Sequence, residues 1–408
     1  MNQKPCLKIF TQSLHCDLYK VYDIIFSSLV FRREGYLFMS NKRKGLWKRF
    51  DFTLFITVIL LCIYGLIVLS SATAGEDSIG YLKTQGIAFC LGLASIFILI
   101  FINYETFGKF YIPIYVVCNL LLVAVLFFGS TAKGAQSWIK IGPVRFQPSE
   151  FVKIGVIISV SKFIEKNHEK INQPFTLIKI LVFAFIPVIL ILLQPDFGTA
   201  IVFVFFIFVM LFVAGLDWKY ILYAAIAGII SLPVLWFSLD DYQKNRIFDF
   251  LDPTRDAMGS GYQVIQSKIA IGSGQIFGMG LYNGNQTQFG FLPEKHTDFI
   301  FSVIGEELGL IGGLTLILLY FLLLFRLIKI AKNSKDIYGS LMVIGIAAMM
   351  LFHILENVGM TMGLMPVTGI PLPFISYGGT FLLSNMICIG LVLSVGMKRE
   401  GLSFSRGA

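Results

Sequence analysis

The sequence predicts an all-α, polytopic integral membrane protein with about ten transmembrane helices, and three observations predict it. Of its 408 residues, 56% are hydrophobic and only 14% are charged, where a soluble domain carries about a quarter. The mean hydropathy is +0.78. The apolar residues fall into separate runs of about 20, the length an α-helix needs to cross ~30 Å of hydrocarbon. Backbone groups in lipid must pair within their own segment, so runs of this kind are helices.

Along the chain the expected spans are 52–72, 82–102, 110–129, 149–165, 176–193, 197–215, 219–238, 299–326, 338–361 and 374–397. Only Gln194-Pro195-Asp196 separates the fifth from the sixth, and Pro195 is expected to make a tight surface turn there. Basic residues set the orientation. Lys42, Arg43, Lys44, Lys48 and Arg49 precede the first span, and Lys162, Lys166 and Lys170 flank the end of the fourth. Arg326, Lys329, Lys332 and Lys335 come after the eighth, and Lys398, Arg399 and Arg406 after the tenth. With ten spans these four segments share one side, which is expected to be the cytoplasm, with both termini there. The chain then divides into a cytoplasmic segment 1–50, a transmembrane unit 51–398 with a large extracytoplasmic loop 239–298, and a cytoplasmic tail 399–408. Residues 1–38 differ in composition from the rest of the chain and read as an extension from an upstream start or a poorly ordered one. No small-residue cleavage site succeeds their short apolar stretch at 24–31, so the first span is expected to be retained.

The net charge is +9. In a soluble protein that would suggest nucleic acid. Here the basic residues sit mostly in short loops, and nothing resembles a zinc finger, a helix-turn-helix or an aromatic RNA-binding strand, so no nucleic-acid partner is expected. Cys62, Cys90, Cys118 and Cys388 lie inside apolar runs, as small hydrophobes do, and no CxxC spacing suggests a disulfide framework or zinc. The opposite side breaks the charge rule. Lys133, Lys140 and Arg145 lie in loop 130–148, and Lys244, Arg246, Arg255, Lys268 and Lys295 in loop 239–298. They either serve an anionic ligand or pair with Asp240, Asp241, Asp249, Asp252 and Asp256 of the same loop. A loop of that length is itself a sign of function.

Ionisable groups in or at the ends of spans are the main functional pointers in a membrane protein. Gln147-Pro-Ser-Glu150-Phe-Val-Lys153 opens the fourth span. Glu150 and Lys153 share one helix face, while Pro148, Ser149 and Glu150 suit a helix start. The pair is either the ion pair of a capped helix or a polar site open to the outer surface. Glu294, Lys295, His296 and Asp298 crowd into five residues where the eighth span begins. A carboxylate at such an edge is partly desolvated, which suits Asp298 to act as a general base. Glu306 and Glu307 lie inside the eighth span, Glu306 about 80° round the helix from Asp298, and both must face protein or water. Gly305 and Gly309 beside them suggest close packing or a local irregularity. His353 and Glu356, three apart in the ninth span, read as a satisfied buried pair, because two ligands do not make a metal site. Gly272-Ser-Gly274-Gln-Ile-Phe-Gly278 has the wrong spacing for a dinucleotide fingerprint, and no HExxH, GxSxG or P-loop occurs, so ATP is not the energy source.

Several longer motifs resemble those of the SEDS family (shape, elongation, division and sporulation), which includes RodA, FtsW and SpoVE. They are Trp138-Ile-Lys-Ile-Gly-Pro-Val-Arg-Phe-Gln-Pro-Ser-Glu150, Gln194-Pro-Asp-Phe-Gly-Thr, Gly261-Tyr-Gln-Val-Ile-Gln-Ser, Gly290-Phe-Leu-Pro-Glu-Lys-His-Thr-Asp-Phe-Ile-Phe, Gly305-Glu-Glu-Leu-Gly309 and Pro373-Phe-Ile-Ser-Tyr-Gly-Gly379. The resemblance runs over residues 47–397 in the right order, and Glu294-Lys-His-Thr-Asp298 looks most like the RodA form. It implies a peptidoglycan glycosyltransferase that polymerises lipid II, a disaccharide-peptide on undecaprenyl pyrophosphate, at the outer face of the bacterial cytoplasmic membrane. The implied partner is a class b penicillin-binding protein transpeptidase. The family's essential aspartate falls on Asp298, its intramembrane glutamate and lysine on Glu150 and Lys153, and its loop tryptophan and arginine on Trp138 and Arg145. Arg246, Lys268, His296 and Glu306 complete the expected substrate-binding set. Transfer from an α-linked donor to form a β-1,4 bond inverts the anomeric centre, which needs one base opposite the leaving group. Asp298 is expected to be that base, with Lys153, Arg145 or Arg246 stabilising the departing pyrophosphate. No tightly bound cofactor is expected; magnesium or manganese could assist, but no ligand set is legible. The alternatives are a division or sporulation role within the family, a lipid II flippase, and a scaffold without activity of its own.

Overall fold

The computed structural model describes residues 49–75, 78–132, 135–141, 144–238, 241–256 and 260–398. The extension 1–38 and the tail 399–408 lie outside the described residues. Ten helices stand where the ten apolar runs are: α1 (Phe52–Ala72), α2 (Ser78–Phe101), α4 (Tyr111–Phe128), α5 (Pro148–Lys166), α6 (Pro174–Leu192), α7 (Phe197–Val213), α8 (Trp218–Ser238), α12 (Ile300–Lys332), α13 (Ile337–Thr361) and α14 (Gly379–Met397). Between them lie the short α3 (Tyr104–Lys109) and, in the long loop, α9 (Asp241–Leu251), α10 (Ser260–Ser273) and α11 (Asn285–Gln288). Among the described residues, α1, α2, α4, α6, α12, α13 and α14 are long and apolar enough to cross a membrane. The chain is a membrane-integral, all-α protein.

Apolar faces turned outward suit lipid on the peripheral helices, as at Phe52, Ile56 and Leu60 of α1. By contrast α13 and α14 are buried over most of their length and form the centre of the bundle. Asp51 caps α1 by accepting from the Leu54 amide at 2.9 Å, and Arg326 clamps the same carboxylate from α12. That fixes one end of the bundle.

At the other end, which we call the loop end, the chain holds a small sheet that the apolar pattern does not predict. Strands β1 (Ser130–Ala132), β2 (Ala135–Ile141) and β3 (Val144–Phe146) run antiparallel in that order. The Gln136 amide donates to the Gln194 carbonyl, and the Gln194 side chain donates to the Leu122 carbonyl at 3.0 Å. The turn at Pro195 is therefore stitched to the sheet and to the end of α4.

Helix α12 is broken at Gly309 (φ 64°, ψ −161°). The freed backbone groups are met by the preceding loop. The Leu310 and Ile311 amides donate to the Gln275 and Ile276 carbonyls, and the Met279 and Gly280 amides donate to the Glu306 and Glu307 carbonyls. A Cβ on Gly309 would lie 2.4 Å from the Gly278 nitrogen, and one on Gly278 would lie 2.2 Å from the Glu307 oxygen. Glycine alone permits that approach at these left-handed positions. The motif Gly274-Gln-Ile-Phe-Gly278 thus packs against Gly305 and Gly309. Residues 300–307 are buried, whereas Leu310, Ile311, Leu314 and Leu318 face outward. The outward-facing arm is 310–332, about 34 Å at ~1.5 Å per residue, so the helix expected at 299–326 begins with turns enclosed by protein and runs on to Lys332. Irregular backbone at such depth is tolerated where protein surrounds it.

Candidate active site

Asp298 stands just before the buried arm of α12 and is 8% exposed. Its backbone carbonyl accepts from the Asn357 side-chain amide at 2.8 Å, and the same amide donates to the Ile370 carbonyl at 2.8 Å. Gly369 (φ +74°) lies so close that a Cβ there would sit 3.5 Å from Asp298 Oδ2. The loop 362–378 therefore runs alongside the aspartate. Arg246 Nη1 donates to the Val367 carbonyl at 3.0 Å, and Thr368 Oγ1 donates to Glu356 Oε1 at 2.8 Å. Ser376 Oγ donates to the Thr297 carbonyl at 2.6 Å, and the Tyr377 amide to the His296 carbonyl at 2.9 Å. The His296 ring packs on Tyr81 and Tyr377 with centroids 4.9 and 5.9 Å away. From α2, Gln85 holds the Ser376 carbonyl and the Gly378 amide.

Deeper in the bundle Glu150 and Lys153 form the ion pair their spacing allows, Nζ to Oε1 2.9 Å, at 4% and 2% exposure. The lysine is also 3.1 Å from His353 Nε2 and lies over the Phe381 ring, while Ser384 Oγ donates to Glu150 Oε2 at 3.3 Å. The reading of His353 and Glu356 as one satisfied pair is corrected here: His353 goes to Lys153 and Glu356 to Thr368. Their spacing does put them on one face of α13, together with Asn357, at i, i+3 and i+4. That single face carries the partners of Lys153, Thr368 and Asp298.

The remaining expected residues take a variety of positions. Glu306 accepts from the Gln286 and Thr287 amides at 2.7 and 3.0 Å and from Thr287 Oγ1 at 2.6 Å. It fastens α11 to the buried arm of α12. Glu307 does the same for Ser71 and Gln288, at 2.7 and 3.0 Å. Lys295 turns inward and donates to the Thr287 carbonyl at 3.0 Å. Lys268 is exposed, and its Nζ lies against Gly363 at the end of α13. Trp138 is half-buried on β2, its carbonyl accepting from Ser130 Oγ. Arg145 is on β3, paired in register with Lys140, and its side chain lies outside what is described, as does Lys133. Among the described residues no three His, Cys, Asp or Glu side chains are grouped to hold a metal ion. Asn357, Gln85 and Ser376 were missed from sequence because each acts through a distant backbone group, and Thr368 because its partner Glu356 lies on another element. Asn357 and Gln85 did carry a signal, as uncharged amides within apolar runs.

The fold and site define a polytopic membrane protein with a buried polar column that ends in an aspartate at the loop end. Residues 51–401 match the cell cycle protein family of FtsW, RodA and SpoVE. The chain belongs to this SEDS family. It is 40% identical to the peptidoglycan glycosyltransferase MrdB of Escherichia coli strain K12 over 366 residues, 89% of this chain and 98% of that protein. It is 38% identical to stage V sporulation protein E of Bacillus subtilis strain 168, over 85% of this chain and 96% of the relative. Among solved structures it resembles the rod shape determining protein RodA of Thermus thermophilus, with TM-score 0.66 and 31% identity over 87% of this chain and 99% of that one. It also resembles a chain from a peptidoglycan synthase complex described as coordinating polymerization and crosslinking, with TM-score 0.75 and 36% identity over 86% of this chain and 98% of that one.

Proposed function

We propose that this chain is an inverting peptidoglycan glycosyltransferase of the RodA type, which polymerises lipid II for cell elongation and shape, with Asp298 as its base. The observation that carries the reading is the buried Asp298 at the loop end, its backbone carbonyl held by Asn357 and its Oδ2 beside Gly369, in a chain that matches nearly the whole of a peptidoglycan glycosyltransferase. Asp298 takes the proton from the 4-hydroxyl of the acceptor GlcNAc. The oxygen attacks the anomeric carbon of the donor, and undecaprenyl pyrophosphate leaves from the opposite face. Arg246 and Lys268 flank loop 362–378 and are the cations we assign to the pyrophosphate. Lys153 already serves Glu150 and His353, so we assign it and Glu150 a positioning role. Glu306 secures the loop, and His296 and Trp138 shape the substrate's approach.

The distribution of Lys and Arg supports cytoplasmic termini and a loop end facing outward. The likeness to a synthase complex that couples polymerization to crosslinking supports a class b penicillin-binding protein as partner. The test is polymerisation of purified lipid II in detergent, with strands resolved on a gel. Asp298→Asn is expected to lose at least about 100-fold in rate, the usual span for a general base. A variant that polymerises like wild type would remove the base assignment, and an inactive wild type, even with its partner, would return the flippase and scaffold readings.

A further inference from the structure

We propose that Glu356 is a substrate-recognition residue: its carboxylate accepts a hydrogen bond from a hydroxyl or amide N–H of the amino sugar that lies against Asp298. The inference rests on the polymerase reading above.

Glu356 lies in α13, a helix long and apolar enough to cross a membrane, and is 5% exposed. An ionised carboxylate has about four acceptor positions. Among the described residues Glu356 receives one hydrogen bond, from Thr368 Oγ1 to Oε1, and forms no ion pair. Oε2 takes no hydrogen bond from any described residue. Other acidic side chains buried in this bundle are better served: Glu150 has Lys153 and Ser384, Glu306 has two amides and a hydroxyl, and Asp51 has Arg326 and the Leu54 amide. A buried carboxylate so poorly compensated is costly unless a ligand supplies the missing donor.

Its placement says which ligand. Glu356 immediately precedes Asn357, whose amide holds the Asp298 carbonyl at 2.8 Å. Its partner Thr368 immediately precedes Gly369, the residue against Asp298 Oδ2. The two carboxylates thus bracket one dipeptide, Thr368-Gly369, and a ring held for deprotonation by Asp298 presents its hydroxyl and acetamido donors to Glu356. Arg246 donates to the carbonyl just before Thr368, so the anionic leaving group and the donor-rich sugar meet opposite charges on one loop.

The test measures initial polymerisation rate against lipid II concentration for the full chain with its transpeptidase. Glu356→Gln keeps the volume and an oxygen for Thr368 while replacing an acceptor with a donor. Loss of a charged hydrogen bond then raises KM by about tenfold, with kcat within about twofold. Glu356→Asp, which keeps the charge but withdraws it, gives the same direction and stands in if the glutamine variant does not fold. An unchanged KM for Glu356→Gln, or a fall confined to kcat, would overturn the proposal. A wild type that forms no strands would instead overturn the polymerase reading itself.

Discussion

Replacing Lys153 by methionine tests whether the buried column is held by compensated charge. Lys153 and Glu150 are 2% and 4% exposed, and the amine is the only cation paired with that carboxylate among the described residues. Methionine matches the stem of lysine and keeps contact with Phe381, so the loss is electrostatic. It strands a buried carboxylate whose remaining partner is Ser384 at 3.3 Å, and it takes the donor from His353 Nε2. Breaking one side of a buried ion pair costs about 3–5 kcal/mol, roughly 4–6 °C in melting temperature for a chain of this length. Removing both charges, as in Glu150→Leu with Lys153→Met, costs far less, because no charge is left without its partner. The double-mutant cycle should therefore return a coupling of about 3 kcal/mol. The assay is thermal unfolding in detergent at one fixed scan rate, since membrane proteins of this size often unfold irreversibly. A single variant that loses less than about 1 kcal/mol would refute the argument. A double variant that melts like wild type yet makes no strands would show that the column also has a role in catalysis.

The geometry sets two further outcomes. Gly309→Ala puts a Cβ 2.4 Å from the Gly278 nitrogen and 2.6 Å from the Ile276 carbonyl oxygen at a left-handed backbone position, so it should cost at least about 3 kcal/mol and abolish a monodisperse peak on size exclusion; Gly272→Ala, whose Cβ meets nothing within 4 Å, should not. Lys398, beyond the last span and over the Tyr104 ring, has its amine pulled from near 10.5 to about 8 by burial. The unfolded chain then binds more protons between those values, so stability rises as pH goes from about 8 towards 10.5; the melting temperature of wild type relative to Lys398→Met should climb over that window, and a flat difference would remove the burial argument.

The ten helices were legible as separate apolar runs of about 20 residues, and seven of them, among the described residues, are long and apolar enough to cross a membrane. The sheet was not, because β1 and β3 are three residues each and a short strand leaves no periodicity to read. Glu150 and Lys153 were legible as a pair because helical spacing is local. Their link to His353 was not, since 200 residues separate the lysine from the imidazole and only packing joins them. Asp298 could be singled out as a charge at a span edge. Glu306 was expected in the substrate-binding set; its bonds to Gln286 and Thr287 were not legible, because those partners come from a loop whose path depends on the break at Gly309. The glycines at 305 and 309 were visible, but what they admit was not.

The break at Gly309 explains how an aspartate can be both buried and placed for chemistry. Were α12 continuous, residues 300–308 would extend the lipid-facing arm, and Asp298 would stand at its tip, in reach of water. The break ends the lipid-facing arm at Leu310 and leaves the preceding arm enclosed by protein. Glu306 and Glu307 then tie that arm to α11, Gln288 and Ser71, while Asn357 ties its start to α13. The carboxylate is fixed from two sides by groups that bond its neighbours or its backbone. Rigid support of this kind is what a base must have if it is to meet one hydroxyl repeatedly as the strand advances. The costly features of the segment (two adjacent buried glutamates, glycines inside a helix, a carbonyl held by a buried amide) have one consequence in common, which is the fixed position of Asp298.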